Sequence, residues 1–335
     1  MQAVGEKPSK PTEPQRNRLA AATKAVLTQE LILLVITLIA VAVLATRNER
    51  FLTERNLERE ISLIFEVAIM ALPMTFIIIT GGIDLSVGSI FGMSAIFLGF
   101  LWQDAQLPLE VAILLSLLVG TFAGFINGLI IVRLGVPPLI TTLATLALYR
   151  GVALGISQAR SARGFPDWFL ELGRGDVLGA PWQLWILLVG IVLSAVILSR
   201  TTFGRSVYAI GNNELASRFS GIPVNRVKLA LYTASGFTAA LAAWVFVSRV
   251  TTTRSDMGSG MELDVIAAVV LGGTSIFGGS GSILGTVLGL ILIQVLKNGL
   301  LLAGVKGDAT IVMIGVVLIL AILVNNFIRS RFHTA

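Results

Sequence analysis

Residues 61–92 read ISLIFEVAIMALPMTFIIITGGIDLSVGSIFG, an apolar run that the pair Gly81-Gly82 interrupts before a second apolar run begins. About 20 consecutive apolar residues suffice for a helix to cross the ~30 Å hydrocarbon core of a bilayer. A glycine pair at that point favours a break in the helix. The stretch therefore predicts a membrane-spanning helix, an interruption, and a second span.

Similar runs fill most of the chain, and they predict ten spans: 31–46, 61–80, 84–102, 109–132, 138–157, 181–199, 229–248, 262–277, 282–303 and 309–327. The glycine-broken run 262–277 also fits a half-span or a re-entrant segment, so eight or nine complete crossings remain open. The predicted fold class is an all-α, polytopic transmembrane helical bundle with one short cytoplasmic helix. We predict a disordered cytoplasmic tail at 1–30, a membrane domain at 31–328 and a cytoplasmic tail at 329–335.

The composition excludes a water-soluble globular enzyme. Hydrophobic residues make up 55% of the 335 residues and charged residues 13%, where a soluble domain carries roughly 25% charged residues. The chain has no cysteine and one histidine, His333, so a thiolate nucleophile is excluded and a zinc or other metal site is disfavoured. No Gly-Lys pair occurs, so the phosphate-binding GxxxxGK[ST] loop is absent and ATP hydrolysis is not an activity of this chain. We predict no catalytic residue, cofactor or metal.

The net charge of +6 is a topology signal. Lysine and arginine residues concentrate in the N-terminal tail and in the segment 200–228, with five in each. Positive residues favour the cytoplasmic side of a membrane protein. We therefore predict that both termini are cytoplasmic, and nucleic acid is not an expected partner.

The segment 80–92, TGGIDLSVGSIFG, places a carboxylate beside the helix break. A carboxylate at membrane depth must cap a helix, form a pair or face water. One interpretation makes Asp84 the cap of a helix beginning near Leu85. The other places the broken helix in the translocation path or its gate, with candidates Gly81, Gly82, Asp84 and Ser86.

The polar segment 201–228 contains a short helix predicted to lie in the cytoplasm. Asn212 or Asn213 caps it, Glu214 and Arg218 are spaced for an i,i+4 ion pair, and Gly221 ends it. The side chains of Leu215 and Phe219 share one face of this helix. Such an apolar stripe either docks into a groove of another protein or packs back against the chain's own membrane domain.

The segment 271–289, LGGTSIFGGSGSILGTVLG, predicts another broken helix, with Gly272, Gly273 and Thr274 as further pathway candidates. Glycines spaced four residues apart let helix backbones approach closely in a membrane. The glycines predicted to serve helix packing are Gly88, Gly92, Gly120, Gly124, Gly128, Gly281, Gly285 and Gly289.

Three ionisable residues fall inside predicted spans. Intramembrane charges form pairs or face water, so Glu66 is a candidate partner of Lys297 or Arg150. The alternative is that Arg150 and Lys297 extend their charged ends to the membrane surface.

Three motifs in this order, ITGGIDLSVGSI, AIGNNELASRFSGIPV and VLGGTSIFGGSGSILGTVLG, resemble the membrane permease of bacterial ATP-binding cassette importers for monosaccharides. That group includes the ribose, xylose, arabinose, rhamnose and autoinducer-2 permeases, and the resemblance covers about residues 30–328. It implies a pore formed by two permease subunits, as a homodimer or a heterodimer, in the bacterial inner membrane. It further implies a cytoplasmic ATPase that binds ATP and contacts 212–221, and a periplasmic binding protein that delivers the sugar.

Two other classes stay open on the residues alone. An ion-coupled secondary transporter would use Asp84 and Glu66 as membrane-buried carboxylates. A membrane-embedded enzyme would need a cluster of nucleophile, base or metal ligands, which the sequence does not offer. No residue pattern specifies a particular sugar.

Overall fold

The structure is a computed structural model that describes residues 13–305, 312, 315 and 316, with side chains described from residue 29 onward. The described residues form twelve helices and one two-stranded antiparallel hairpin. These are α1 Glu13–Arg47, α2 Glu54–Ile79, α3 Val87–Gln103, α4 Leu109–Arg133, α5 Pro138–Ser157, α6 Asp167–Arg174, β1 Asp176–Val177, β2 Ala180–Pro181, α7 Trp182–Arg200, α8 Thr202–Asn212, α9 Glu214–Phe219, α10 Val224–Val250, α11 Met261–Leu271 and α12 Ile283–Leu302.

Seven helices in the described part of the chain are long and apolar enough to cross a membrane, and the 17-residue α3 is a shorter apolar helix. The seven are Gln29–Arg47, Glu54–Ile79, Leu109–Arg133, Pro138–Ser157, Trp182–Arg200, Val224–Val250 and Ile283–Leu302. The predicted all-α polytopic bundle is confirmed. The predicted span 309–327 lies outside the described residues, apart from positions 312, 315 and 316.

One segment differs from the sequence prediction, and another takes the shorter of the two forms that the sequence left open. Helix α1 begins at Glu13, so the tail predicted to be disordered through residue 30 is helical from residue 13. Helix α11 has 11 residues and ends where Gly273 adopts φ +92°, so the run 262–277 is half a span and a loop. At 1.5 Å per residue α11 covers about 16 Å, roughly half of the hydrocarbon core.

Helix α2 is the central element of the bundle, and α10, α7, α11 and α12 pack against it. Its C-terminal half, from Phe65 to Ile79, is almost entirely buried, whereas few of the described side chains of α1 and α7 are buried. A helix that is apolar all round is stable in water only when it is covered, but in a bilayer the lipid covers it. The exposed faces of α1 and α7 are therefore the surfaces that meet lipid or another subunit.

Hydrogen bonds define two ends of the bundle. At the α8–α9 end, the Gly279 amide donates to the carbonyl of Ile79 at 2.9 Å, and the Tyr208 hydroxyl donates to the carbonyl of Gly281 at 2.7 Å. At the opposite end, Asn48 Nδ2 donates to the carbonyl of Leu302 at 3.2 Å. The α6 helix and the β1–β2 hairpin also lie at that opposite end, because Gln183 Nε2 at the start of α7 donates to the carbonyl of Gly173 in α6.

Candidate coupling surface and buried polar site

Helices α8 and α9 each begin at a side-chain cap, which stabilises the first turn. The Gly204 amide donates to Thr201 Oγ1 at 3.2 Å, and the Ala216 amide donates to Asn213 Oδ1 at 2.9 Å. Asn213, of the two asparagines that the sequence offered, is the cap of α9. Gly221 adopts φ +80°, a conformation that favours glycine, and turns the chain toward α10.

Glu214 fixes α9 to the membrane domain. Its carboxylate accepts from Arg218 at 2.7 Å, as the i,i+4 spacing predicts, and from Lys228 of α10 at 2.5 Å. Partial burial raises the pKa of Glu214, but the hydrogen bonds and charges of Lys228 and Arg218 outweigh it and hold that pKa below its usual value. Because the folded-state pKa is depressed, the stabilising effect is present at neutral pH and is lost as the pH falls through that pKa.

The apolar face of α9 does not pack back against the membrane domain. Phe219 is 84% exposed and Leu215 is 65% exposed, so the described residues leave most of both side chains uncovered. Neighbouring exposed apolar groups at a surface rich in arginine are typical of a protein interface.

Helix α8 connects this surface to the centre of the bundle. Gly211 lies so close to the carbonyl of Ile79, at the end of α2, that a methyl group there would overlap it. A side chain at Gly279 would lie 2.9 Å from Asn212 Oδ1, and the Tyr208 hydroxyl donates to the carbonyl of Gly281. A displacement of α8 therefore acts directly on the end of α2 and on the loop 272–282.

The break between α2 and α3 contains a fully buried carboxylate. Asp84 Oδ1 accepts from the Ser86 amide at 3.0 Å and from Ser86 Oγ at 2.6 Å, and Asp84 Oδ2 accepts from Ser235 Oγ of α10 at 2.7 Å. Helix α3 begins at Val87, two residues beyond the predicted start, with no side-chain cap bond. Asp84 thus links the break to α10 through hydroxyl groups, and the side chain does not reach solvent.

A chain of polar groups continues from this carboxylate into α4 and α5. Asn127 Nδ2 donates to Ser86 Oγ at 2.7 Å, and the Tyr149 hydroxyl lies 3.1 Å from Asn127 Oδ1. Sequence reasoning missed Asn127, Tyr149 and Ser235, although an asparagine inside an apolar span was a detectable signal.

The other pathway candidates occupy the same break and the loop after α11. Gly81 adopts φ +79°, and a side chain at Gly82 would lie 2.6 Å from the buried hydroxyl of Tyr232. Gly272 packs on the backbone of Gly285, while Thr274 is buried and its hydroxyl has no hydrogen-bond partner among the described residues. A role in translocation for these residues stays a prediction.

Seven of the eight glycines predicted for helix packing lie on helices that another segment approaches closely. A methyl group on any of the seven would come within 3.0 Å of an atom of that segment: Gly88, Gly92, Gly120, Gly124, Gly128, Gly285 and Gly289. Gly281 is different, because it lies in the loop before α12, where a methyl group would meet the side chain of Thr274 in the same loop. Gly236 of α10, which the sequence pattern did not single out, faces Gly124 of α4 in the same manner. The α4–α10 and α11–α12 pairs approach closely because of these residues.

The buried charges pair differently from the sequence prediction. Glu66 pairs with Arg249 at the end of α10 at 2.6 Å, not with Lys297 or Arg150. Lys297 pairs with Asp264 of α11 at 2.8 Å. Arg150 donates to the carbonyls of Ser255 and Met257 at 3.1 and 2.7 Å. The prediction was wrong because Arg249 stands just beyond the predicted span 229–248, and only the packing of α10 on α2 brings it to Glu66.

Substituting either member of the Glu66–Arg249 pair is expected to destabilise the protein. Glu66→Ala leaves a buried guanidinium and Arg249→Ala a buried carboxylate, each costing about 3–5 kcal/mol. The double variant Glu66→Ala/Arg249→Ala should lose less free energy of unfolding than the sum of the losses of the two single variants. Thermal unfolding of the purified protein in detergent measures this, and Lys297→Ala is the control, since its pair is partly exposed. Additive losses would contradict a direct pairing.

The architecture, a bundle of glycine-packed apolar helices with a capped polar helical segment, is that of a polytopic membrane protein. A family model described as "Branched-chain amino acid transport system / permease component" matches residues 56–322. The autoinducer 2 import system permease proteins LsrD of Yersinia enterocolitica serotype O:8 and of Escherichia coli K12 are each 40% identical to this chain, over 88% of its length and 90% of theirs. The chain belongs to this family of transport permeases and is a multi-pass membrane protein.

Proposed function

We propose that this chain is the pore-forming subunit of an ATP-binding cassette importer in the bacterial inner membrane. Two permease subunits, identical or related, form the translocation pathway. A cytoplasmic ATPase binds the α8–α9 end, and a soluble periplasmic protein delivers the solute to the opposite end. Both termini face the cytoplasm, in keeping with the basic residues of the segment 200–228.

The observation that carries this proposal is the uncovered apolar face of α9, formed by Leu215 and Phe219. A helix held in place by Asn213 and Glu214 yet left open on its apolar side is suited to bind in a groove of a partner. The partner supplies ATP hydrolysis, because this chain has no phosphate-binding loop.

The proposed mechanism couples the ATPase to the broken helices. ATP binding moves the partner, α8 moves with it, and the end of α2 and the loop 272–282 follow through Gly211 and Gly279. The pore then alternates between outward-open and inward-open states. Nucleotide and solute are coupled only through their different affinities for those states.

The proposed solute is a small hydroxylated molecule, a monosaccharide or autoinducer-2. The names of the similar permeases support autoinducer-2. Selectivity among such solutes rests with the soluble binding protein.

Phe219→Ala is expected to weaken ATPase binding on the order of tenfold or more, because it removes an exposed aromatic anchor of the kind that dominates interfaces. Membrane insertion and thermal stability should not change, since the side chain is 84% exposed. The measurement is co-purification of the ATPase from gently solubilised membranes, together with solute uptake.

Leu178→Ala is the matched control for ATPase recovery, because Leu178 is 88% exposed but lies in the hairpin at the opposite end. If Phe219→Ala left ATPase recovery and solute uptake unchanged, that result would contradict the proposed docking surface. A wild-type protein that purifies alone and transports under an ion gradient would instead identify an ion-coupled secondary transporter.

A further inference from the structure

Phe277 is a second uncovered aromatic side chain at the α8–α9 end of the bundle. It lies in the turn between α11 and α12, and 89% of its surface is exposed. No described residue buries this ring. Its neighbour Ile276 is 42% exposed, so the tip of the turn is apolar over two consecutive residues.

The turn that carries Phe277 is fixed by backbone hydrogen bonds. The amide of Gly278 donates to the carbonyl of Ser275, and the amide of Ser275 donates to the carbonyl of Ser280, both at 2.9 Å. Gly278 and Gly279 adopt φ +85° and +77°, which side chains would disfavour. The amide of Gly279 is in turn bound to the end of α2. The phenyl ring is therefore held outward by an ordered turn.

The turn is continuous with the surface of α8 and α9. A side chain at Gly279 would lie 2.9 Å from Asn212 Oδ1, and Tyr208 of α8 is hydrogen-bonded to Gly281. Phe277 precedes Gly279 by two residues and Leu215 follows Asn212 by three, so at ~3.5 Å per residue their Cα atoms lie within roughly 25 Å. An interface of about 800 Å² per partner is wide enough to include both.

The segment that carries Leu215 and Phe219 is positively charged, whereas beside the Phe277 turn the carboxylate of Glu30 accepts a hydrogen bond from Ser282. The segment 200–228 has five lysine and arginine residues and one acidic residue, Glu214, which is already engaged by Arg218 and Lys228. A complementary partner presents apolar pockets with an acidic rim.

We propose that the turn 275–279 is a second docking element for the cytoplasmic ATPase, with Phe277 inserted into an apolar pocket of that subunit. This inference rests on the proposed function. It gives the ATPase two contacts on one permease subunit: α9, and a turn that leads through Thr274 and Gly272 directly into the half-span α11. Motion of the ATPase then reaches α11 without passing through α8.

The test uses the absence of cysteine from the chain. In Phe277→Cys, a benzophenone maleimide attached to the single thiol is photolysed in the purified complex of permease and ATPase, and the cross-linked product is identified by mass spectrometry. Leu178→Cys is the control at the opposite end of the bundle. In parallel, Phe277→Ala is compared with Phe219→Ala for ATPase binding and uptake, with thermal unfolding as the check on folding.

We expect the probe at position 277 to cross-link the ATPase and the probe at 178 not to. We also expect Phe277→Ala to weaken ATPase binding on the order of tenfold at unchanged thermal stability. Two results would overturn the second docking element and leave the proposed function intact. In the first, the probe at position 277 cross-links to lipid alone. In the second, Phe277→Ala binds the ATPase with wild-type affinity while Phe219→Ala does not. A wild-type protein that binds no ATPase refutes the proposed function, and this inference with it.

Discussion

Asp84→Ala is expected to destabilise the folded protein by several kcal/mol and to prevent its accumulation in the membrane. The substitution leaves three donors without an acceptor: the amide and hydroxyl of Ser86 and the hydroxyl of Ser235. Each unsatisfied buried donor costs about 1–3 kcal/mol, against a total stability of about 5–15 kcal/mol for a typical protein. Expression level and thermal unfolding in detergent measure the loss.

Asp84→Asn is the conservative comparison for this experiment. Its carbonyl oxygen keeps an acceptor for Ser86, and the hydroxyl of Ser235 can turn to accept from the new amide. We expect Asp84→Asn to be clearly more stable than Asp84→Ala. An Asp84→Ala variant with wild-type stability would show that the buried hydrogen bonds do not hold the α2–α3 break to α10.

Gly285→Leu is the second substitution with a large expected effect. A methyl group at this position would overlap the backbone carbonyl of Gly272, which cannot swing away as a side chain can. Overpacking a core costs about 1–3 kcal/mol when side chains adjust, and the loss should be larger here because two backbones must separate. The amount of folded protein in membranes and its thermal unfolding are the measurements.

Gly151→Leu on α5 is the matched control, since no described atom lies within 4 Å of the position of its Cβ. It should retain normal thermal stability. If both leucine variants were equally stable, the close approach of α11 and α12 would not be needed for folding.

Much of the fold was predictable because a bilayer imposes length and polarity on each helix. The predicted span 138–157 coincides with Pro138–Ser157, and 109–132 differs from Leu109–Arg133 by one residue. The i,i+4 pair of Glu214 and Arg218 was likewise predictable, since both residues lie on one short helix.

Contacts between distant segments were not predictable from one sequence. The pairing of Glu66 with Arg249 depends on how far α10 extends and on the face it turns toward α2, and neither is encoded by apolar periodicity. The membership of Asn127 and Tyr149 in the hydrogen-bond network around Asp84 was unpredictable for the same reason, because each lies on a different helix.

A polytopic helical membrane protein with two glycine-broken segments and a capped polar helix was predictable, since these features follow from hydrophobic length, backbone freedom and local hydrogen bonding. Which buried groups meet, and which surfaces remain open, depends on how the helices pack together. Phe219 and Phe277 are uncovered because no other described segment of the chain folds over them. The exposure of a side chain depends on how all the helices pack, so a local pattern of residues does not predict it.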